Sequence, residues 1–537
     1  MHLNAAHISR NLFTALIIIT AALAPVFPLF AQKSTIVHIE NADLLRVAKI
    51  NGMSVKTLKG NAILRQDSTY FYCDTASLDE NNNLNAMGRV HINYGDSVHL
   101  YGDYLTYSGN TRIAIMDSNV RMVDKRATLY TDHLEYDRNL AVAYYFTGGK
   151  IVDDDNVLTS IRGKYLTRLN EFEFSDSVVA THPDYTMYSD TLRYNTETEI
   201  VYIEGPTNIY GKEDHIYSEK GWYDTRSDLA ELNQNNRIRH LEQILKGDWI
   251  YYDRENEYGK ARGHVWVMDT VQDIIMEGGI GEFHRSEKYS YITDRARAIL
   301  IDGSDSLFMH ADSFIMVMDS ADEARYLFAY HRMKFYKQDL QGLCDSLVYR
   351  VQDSVIALLK NPVLWSDDNQ LTADSMWMHI SDNRIDSMVL FNMAFIVSRD
   401  SVETYNQIKG KQMRAYFRDN ELYRIKVLGN AETIYYVRDE DGAMIGINKS
   451  VSSNMAIMLN DSQVKTISYL SRPEAVLYPE KDLPKEEQFL RDFKWITGKR
   501  PYKKDDIFIW ERESSEDGNP DVPLRVQPDV LQEEVEF

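Results

Sequence analysis

The chain has 537 residues, a formal net charge of −22 at pH 7 and only 2 cysteines. No basic stripe is visible in this acidic chain, which excludes nucleic acid as a partner, because nucleic-acid binders replace counterions with clustered Lys and Arg. With so few cysteines, stability has to come from a packed core and strand ladders rather than from disulfides.

The N-terminal 31 residues have the proportions of a secretory signal peptide. Arg10 supplies a positive charge, residues 12–23 form an apolar stretch, and Ala31 ends a plausible cleavage site. The alternative is an uncleaved anchor, since residues 12–31 are long enough to cross a hydrocarbon layer of ~30 Å. We therefore expect an exported protein.

The first strand of the mature chain, residues 34–40, is predicted to be an exposed sheet edge. It is short, apolar and free of proline, so it lacks the features that keep edge strands from pairing with other chains. The residues predicted to pair with a partner's edge are Ile36, Val37, His38 and Ile39.

A phrase close to Asp-x-Leu-x-Tyr then recurs along the chain. Its main copies begin at Asp74, Asp103, Asp132, Asp190, Glu219, Asp248, Asp312, Asp345 and Asp374, and most neighbouring copies are 29 residues apart. A stretched copy at Lys164 fills the gap between Asp132 and Asp190. A fixed period in the range of roughly 20–50 residues indicates stacked repeats.

Each repeat has a second strand-like half, such as the runs that begin at Gly88 and Gly263. In these runs apolar residues alternate with polar ones, which is typical of half-buried strands. The predicted fold class is therefore all-β, an elongated solenoid of antiparallel strands with a unit of ~29 residues. Cys73 and Cys344 hold the same repeat position many units apart, which makes a disulfide between them improbable.

Strand alternation also predicts which side chains share the interior, because successive side chains point to opposite faces. The predicted outer face carries His91, Arg121, Glu135 and His264. The predicted inward residues are Val90, Ile92, Leu105, Tyr107, Val120, Met122, Leu134, Tyr136, Leu192, Tyr194, Val265, Val267, Leu347 and Tyr349.

A Gly-x-Val-x-Ile run, a turn and an Asp-x-Leu-x-Tyr strand together resemble the OstA/LptA family of lipopolysaccharide-transport proteins. The resemblance spans roughly residues 35–460, and the units at Asp103, Asp132, Asp190 and Asp345 carry it best. It implies a β-jellyroll whose apolar interior holds the acyl chains of lipopolysaccharide, so the inward residues would form a lipid-binding groove. It also implies partners, namely other jellyroll proteins that pair edge to edge in a bridge across the periplasm.

The resemblance and the composition together give four segments. These are a signal peptide (1–31), a first jellyroll (32–230), a second one continuous with it (231–472) and a C-terminal region (473–537). In the last region, residues 483–496 are predicted to form a short amphipathic helix, and the acidic residues 511–537 are predicted to be disordered. The helix is expected to dock through Phe489, Leu490, Phe493 and Trp495.

No catalytic, cofactor or metal site is predicted. The Gly, Asp and Ser residues near Gly95 and Gly303 stand where turns need them, and the aspartates at 153–155 lack the alternating ligands of a calcium loop. The expected function is a non-enzymatic scaffold that carries or bridges lipopolysaccharide to the outer membrane. The alternatives are the periplasmic part of an outer-membrane lipopolysaccharide translocon and a structural or adhesive solenoid.

Overall fold

The computed structural model describes residues 36–510, apart from 95–97, 125–126, 154–155, 302–305, 322, 382–383, 419–420, 440 and 461–462. The predicted signal peptide and the predicted disordered tail after residue 510 lie outside the described residues. The chain divides into two compact units, Met1–Ala180 and Thr181–Phe537. The predicted division into two jellyrolls at residue 230 stays a prediction, and strand pairing in the second unit runs across that point without a break.

The described part of the chain consists almost entirely of strands. Strands β1 to β13 are His38–Asn41, Leu44–Ile50, Met53–Gln66, Thr69–Asp79, Asn83–Tyr94, Val98–Ser108, Ile113–Val123, Ala127–Asp137, Val142–Tyr145, Gly149–Asp153, Asn156–Ser160, Arg162–Leu166 and Glu171–Thr181.

The second unit continues the series. Strands β14 to β40 are Thr186–Asn195, Ile200–Ile203, Thr207–Tyr210, Asp214–Ser218, Lys220–Asp224, Leu229–Gln234, Asn236–His240, Gln243–Gly247, Trp249–Asp253, Tyr258–Asp269, Ile274–His284, Tyr289–Thr293, Arg297–Leu300, Leu307–His310, Ser313–Met318, Ala324–Tyr336, Gln341–Arg350, Val355–Leu359, Val363–Ser366, Asn369–Thr372, Ser375–Ser381, Arg384–Arg399, Tyr405–Arg418, Glu421–Arg438, Met444–Asn460, Gln463–Leu470 and Glu474–Tyr478. Three short 3₁₀ turns follow, Glu480–Asp482, Lys485–Gln488 and Lys504–Phe508.

The predicted fold class is confirmed, because strands pair antiparallel with their neighbours along each unit, in the manner of a β-jellyroll. The pairing of β5 with β6 shows how a long strand turns a corner: its register shifts between Met87 and Val90. The two residues inside this bulge, Gly88 and Arg89, have φ values of 76° and 45°. Such a bulge bends a strand without ending it, so one long strand serves both faces of the jellyroll.

The aspartate that opens several of the repeats stabilises these corners. Asp74 accepts a hydrogen bond from Nε of Arg89 at 3.0 Å. A Cβ atom added at Gly88 would lie 2.6 Å from Oδ2 of Asp74, so this corner needs glycine for space as well as for its positive φ. Asp103 pairs with Asn119 at 2.6 Å in the same way, and Asp248 pairs with His264 at 2.8 Å. The recurring aspartate is therefore a structural residue of the fold.

The predicted helix over residues 483–496 is not formed. Only the 3₁₀ turn Lys485–Gln488 is helical there, and the chain continues to Trp510 largely without regular structure apart from the turn Lys504–Phe508. We call residues 479–510 the C-terminal strap. It lies across the second unit, because glutamine side chains of that unit form hydrogen bonds with its backbone. Gln407 donates to the carbonyl of Gln488 and accepts from the amide of Leu490. Gln370 bonds the carbonyl of Lys494 and the amide of Ile496 in the same way. Backbone bonds taken up in this way compete with the bonds that a helix would make.

The strap covers the outer face of the sheet. Val363, Leu364 and Trp365 are consecutive residues of β32, and all three are buried. Consecutive strand residues face opposite ways, so the sheet is covered on both faces here. Ile496 and Trp510 of the strap pack against Val363 and Trp365. The expected docking is confirmed for Leu490, Phe493 and Trp495, which pack against a cluster that includes Phe395, Ile434 and Ile447.

Candidate functional site: apolar interior and exposed strand edges

The predicted inward residues do lie in the interior of their units. In the first unit, Leu134 and Tyr107 have no exposed surface, and the six others are also buried. In the second unit, Leu192, Tyr194, Val265 and Leu347 are buried, whereas Val267 and Tyr349 are half-buried. On the predicted outer face, Arg121 and His264 are exposed, and His91 and Glu135 are half-buried. Whether the inward residues bind lipid stays a prediction.

Aromatic rings fill much of the interior of the first unit. Phe71 and Tyr107 lie with ring centroids 4.8 Å apart, and Tyr165 stacks on Phe172 at 4.0 Å. Tyr145 is held between two glycines, because a Cβ atom at Gly149 or Gly163 would lie 2.5 or 2.3 Å from its ring. Burial raises the pKa of Tyr145 to about 12, although its hydroxyl shares a hydrogen bond with Ser160. These contacts define a closely packed interior in which Tyr145 stays neutral.

The interior of the first unit also contains a polar group that the alternation pattern did not predict. Arg138, which follows β8, is 5% exposed and donates from Nη1 to the side chain of Gln66 at 3.0 Å. Gln66 is fully buried and also donates from Nε2 to the carbonyl of Gly109. The only sequence signal is that Arg138 is a basic residue two positions after the repeat tyrosine Tyr136. Alternation alone assigns Arg138 to a turn.

The N-terminal strands form an exposed edge of the first unit, and whether this edge pairs with a partner stays a prediction. Among the described strands, β1 pairs only with β3, and so does β2. Of the predicted edge residues, Ile36 is 55% exposed, His38 is exposed and Ile39 is half-buried, whereas Val37 is buried at 5%. Val37 therefore belongs to the core of the first unit, and the other three residues are the accessible part of the predicted edge.

The exposed edge is larger than the sequence indicated, because every residue of β2 is exposed. Leu44, Leu45, Val47 and Ile50 are each between 46% and 63% exposed. A strand that leaves both its apolar side chains and one row of backbone groups uncovered is a template for pairing with another chain. The sequence alone did not identify β2, since its apolar residues are equally typical of a core strand.

The last strands of the second unit form a second edge. Strands β39 and β40 pair with β38 and with no other described strand. Leu470, Val476 and Leu477 on these strands are between 47% and 51% exposed. The C-terminal strap starts directly after β40 but packs on the face of the sheet, so the described residues of the C-terminal region leave this edge uncovered.

The remaining polar groups offer little chemistry. Cys73 and Cys344 are buried free thiols, and burial raises their pKa values to about 11 and about 12. Within the described ranges, no three His, Cys, Asp or Glu side chains are arranged to hold a metal ion. No helix in the same part of the chain has the length and apolar character needed to span a bilayer.

Antiparallel strands that bend at bulged corners around an apolar interior define a β-jellyroll repeat protein. Residues 34–190 match the sequence model of the family described as OstA-like protein. The resemblance predicted from the repeats is therefore confirmed over residues 34–190.

Among solved structures, the chain is similar to LptH from Pseudomonas aeruginosa, described as the LptA homologous periplasmic component of the conserved lipopolysaccharide transport device. The two sequences are 13% identical, and the alignment covers 26% of this chain and 96% of LptH. Its TM-score is 0.21, so the assignment of the fold rests on the strand pairing described above. No curated protein sequence matches the chain.

Proposed function

We propose that this protein is a non-enzymatic, periplasmic scaffold that carries or bridges lipopolysaccharide towards the outer membrane. The single observation that carries the proposal is the interior of the first unit, where Leu105, Leu134 and the other inward residues form one apolar layer inside a region that matches the OstA-like family. The lipopolysaccharide transport device of LptH, a protein similar to part of this chain, supports the same cargo.

Acyl chains are the part of lipopolysaccharide that such an interior would bind. Burying a methylene group contributes ~0.8 kcal/mol, so about ten methylenes would contribute about 8 kcal/mol. A net charge of −22 repels phosphate groups at long range, so charge alone does not account for binding. Because Leu134 and Tyr107 have no exposed surface, an acyl chain has to separate the inward side chains as it enters.

The exposed edge of the first unit supports the bridging part of the proposal. A partner jellyroll that added a strand to β1 and β2 would pair their free backbone groups and cover Leu45 and Val47. The apolar interiors of the two proteins would then be joined. The partner proposed here is therefore another jellyroll of the same transport route.

The test is photo-crosslinking of lipid from the interior. A photoreactive residue at Leu134 is expected to trap lipopolysaccharide in cells, and one at the adjacent, half-buried Glu135 on the opposite face is the matched control. Mass spectrometry of the trapped adduct identifies the cargo. Equal labelling at both positions, in variants that retain the circular dichroism spectrum of a β protein, would refute an interior lipid site.

A further inference from the structure

We propose that Arg138 binds the oxyanion of an amphiphile's headgroup, such as a phosphate, at the end of the apolar interior of the first unit. The proposal rests on the proposed function, because it assigns the charged end of a ligand whose acyl chains occupy that interior. It adds a specific headgroup site to an acidic protein that otherwise repels anions.

Arg138 is built into the interior. The residue follows β8 directly and is 5% exposed, and its two hydrogen-bond partners, Gln66 and Tyr107, have no exposed surface at all. The rings of Tyr94 and Tyr107 lie 5.1 and 5.9 Å from the guanidinium carbon. Aromatic faces attract a cation, but they supply no negative charge that neutralises it.

The described residues supply no counter-ion to this guanidinium. Among the described residues, no Asp or Glu forms an ion pair with Arg138, and its side-chain hydrogen bonds to them all come from Nη1. Its Nε atom is buried and has no hydrogen-bond partner. The neighbouring Arg112 shows the contrasting case, because it pairs with Asp67 at 2.8 Å.

A second buried donor, Thr69, lies on β4, the strand next to the one that holds Gln66. Thr69 is paired across the sheet with Gln66 on one side and with Tyr94 on the other. Its side chain has no exposed surface, and its hydroxyl has no hydrogen-bond partner. The interior therefore contains an unpaired hydroxyl as well as an unpaired N–H near one cation, and an oxyanion would accept hydrogen bonds from both kinds of group.

Physical chemistry favours an anionic ligand here. A buried charge without a counter-charge costs several kcal/mol, so its retention in a folded interior indicates that a ligand supplies the opposite charge. The Nε and Nη2 atoms of an arginine form the edge that binds phosphate or carboxylate through two parallel hydrogen bonds. In Arg138 this edge is the side that the protein leaves unused.

The experiment compares three probes on the full-length chain by titration calorimetry: dodecyl phosphate, dodecanol and inorganic phosphate. The wild type is expected to bind dodecyl phosphate at least about ten-fold more tightly than dodecanol. This ratio of affinities corresponds to the contribution of a hydrogen bond to a charged group. Arg138→Met is expected to abolish this preference while retaining affinity for dodecanol. The matched control, Arg121→Met, removes an exposed arginine from the outer face of the same unit and is expected to retain the preference.

A second variant covers the case in which Arg138→Met fails to fold. Gln66→Glu keeps the side-chain shape and places a carboxylate beside Nη1 of Arg138, so it is expected to weaken the preference for dodecyl phosphate.

A wild type that binds dodecanol and dodecyl phosphate equally, or a folded Arg138→Met variant that keeps the preference, overturns the site. Failure of the wild type to bind either amphiphile overturns the proposed function instead. Inorganic phosphate is the third probe. If it binds as tightly as dodecyl phosphate and this binding is lost in Arg138→Met, the assignment to an amphiphile is overturned.

Discussion

At the scale of single residues, the recurring aspartate connects sequence and fold most directly. The repeat phrase begins with Asp because its carboxylate binds the bulge of a neighbouring strand at the corner, as Asp74 binds Arg89 and Asp103 binds Asn119. The period of 29 residues and the strand alternation were enough to predict this architecture and the inward positions. They could not reveal Arg138, since alternation distinguishes apolar from polar positions only within strands and Arg138 lies just beyond one.

Asp345 allows the corner contribution to be measured. Its carboxylate is partly buried, which raises its pKa, but hydrogen bonds from Ser346, His331 and Lys360 outweigh that effect and lower the pKa to about 2. The side chain is 32% exposed, so after allowing for solvent screening we expect Asp345→Asn to cost about 1 kcal/mol at pH 7.

The pH dependence of this cost has a defined sign. A carboxyl whose pKa is lower in the folded protein stabilises the fold above its unfolded pKa of about 4, and the contribution is lost as the pH falls towards 2. Urea unfolding at several pH values should therefore show the difference between wild type and Asp345→Asn shrinking across this range. Asp386→Asn, at an exposed strand position, is the control. A difference that stays constant down to pH 2 would contradict the account.

At the scale of elements, the C-terminal strap is the largest departure from the sequence prediction. Its apolar residues were recognised as docking residues, but their docking surface consists of strands that lie well before them in the sequence, such as β35 with Phe395 and β38 with Ile447. Its backbone is held by glutamine side chains, and an isolated glutamine in a strand gives no signal of that role. The strap could be located only once the strands had been placed beside one another.

Gln370 is predicted to be a principal anchor of the strap. It is 1% exposed, donates to the carbonyl of Lys494 at 2.7 Å and accepts from the amide of Ile496 at 2.8 Å. Gln370→Leu would leave both backbone groups unpaired, at a cost of about 1–3 kcal/mol for each group that stays buried. Hydrogen exchange at Ile496 is therefore expected to accelerate by at least about ten-fold, whereas Gln272→Leu in an exposed turn leaves it unchanged. Unchanged exchange in Gln370→Leu would mean that apolar packing alone holds the strap.

The exposed strand β2 gives a prediction at the same scale. Val47 is 63% exposed on a strand with one free edge, and a lysine at such a position discourages edge pairing. Val47→Lys is expected to reduce crosslinking between β2 and a partner jellyroll, or a second copy, by several-fold in cells. Val271→Lys, at a 67% exposed turn position, supplies the same charge away from the edge and should have no effect. Equal crosslinking by the two variants would argue against pairing through β2.

At the scale of the whole molecule, the two units share one construction, in which bulged strands enclose a layer of apolar side chains. The described residues of both units contain uncovered strand edges, β1 and β2 in the first and β39 and β40 in the second. The proposed bridging role requires free strand edges of this kind, and a net charge of −22 favours solubility.

The central claim, that the interior of the first unit holds acyl chains, is tested most directly by photo-crosslinking from Leu134 in cells, with Glu135 on the opposite face as the reference position. The account predicts a lipopolysaccharide adduct at Leu134 and little or none at Glu135. An adduct at Glu135 alone, or no lipid at Leu134 in a protein that is folded and exported, would contradict it.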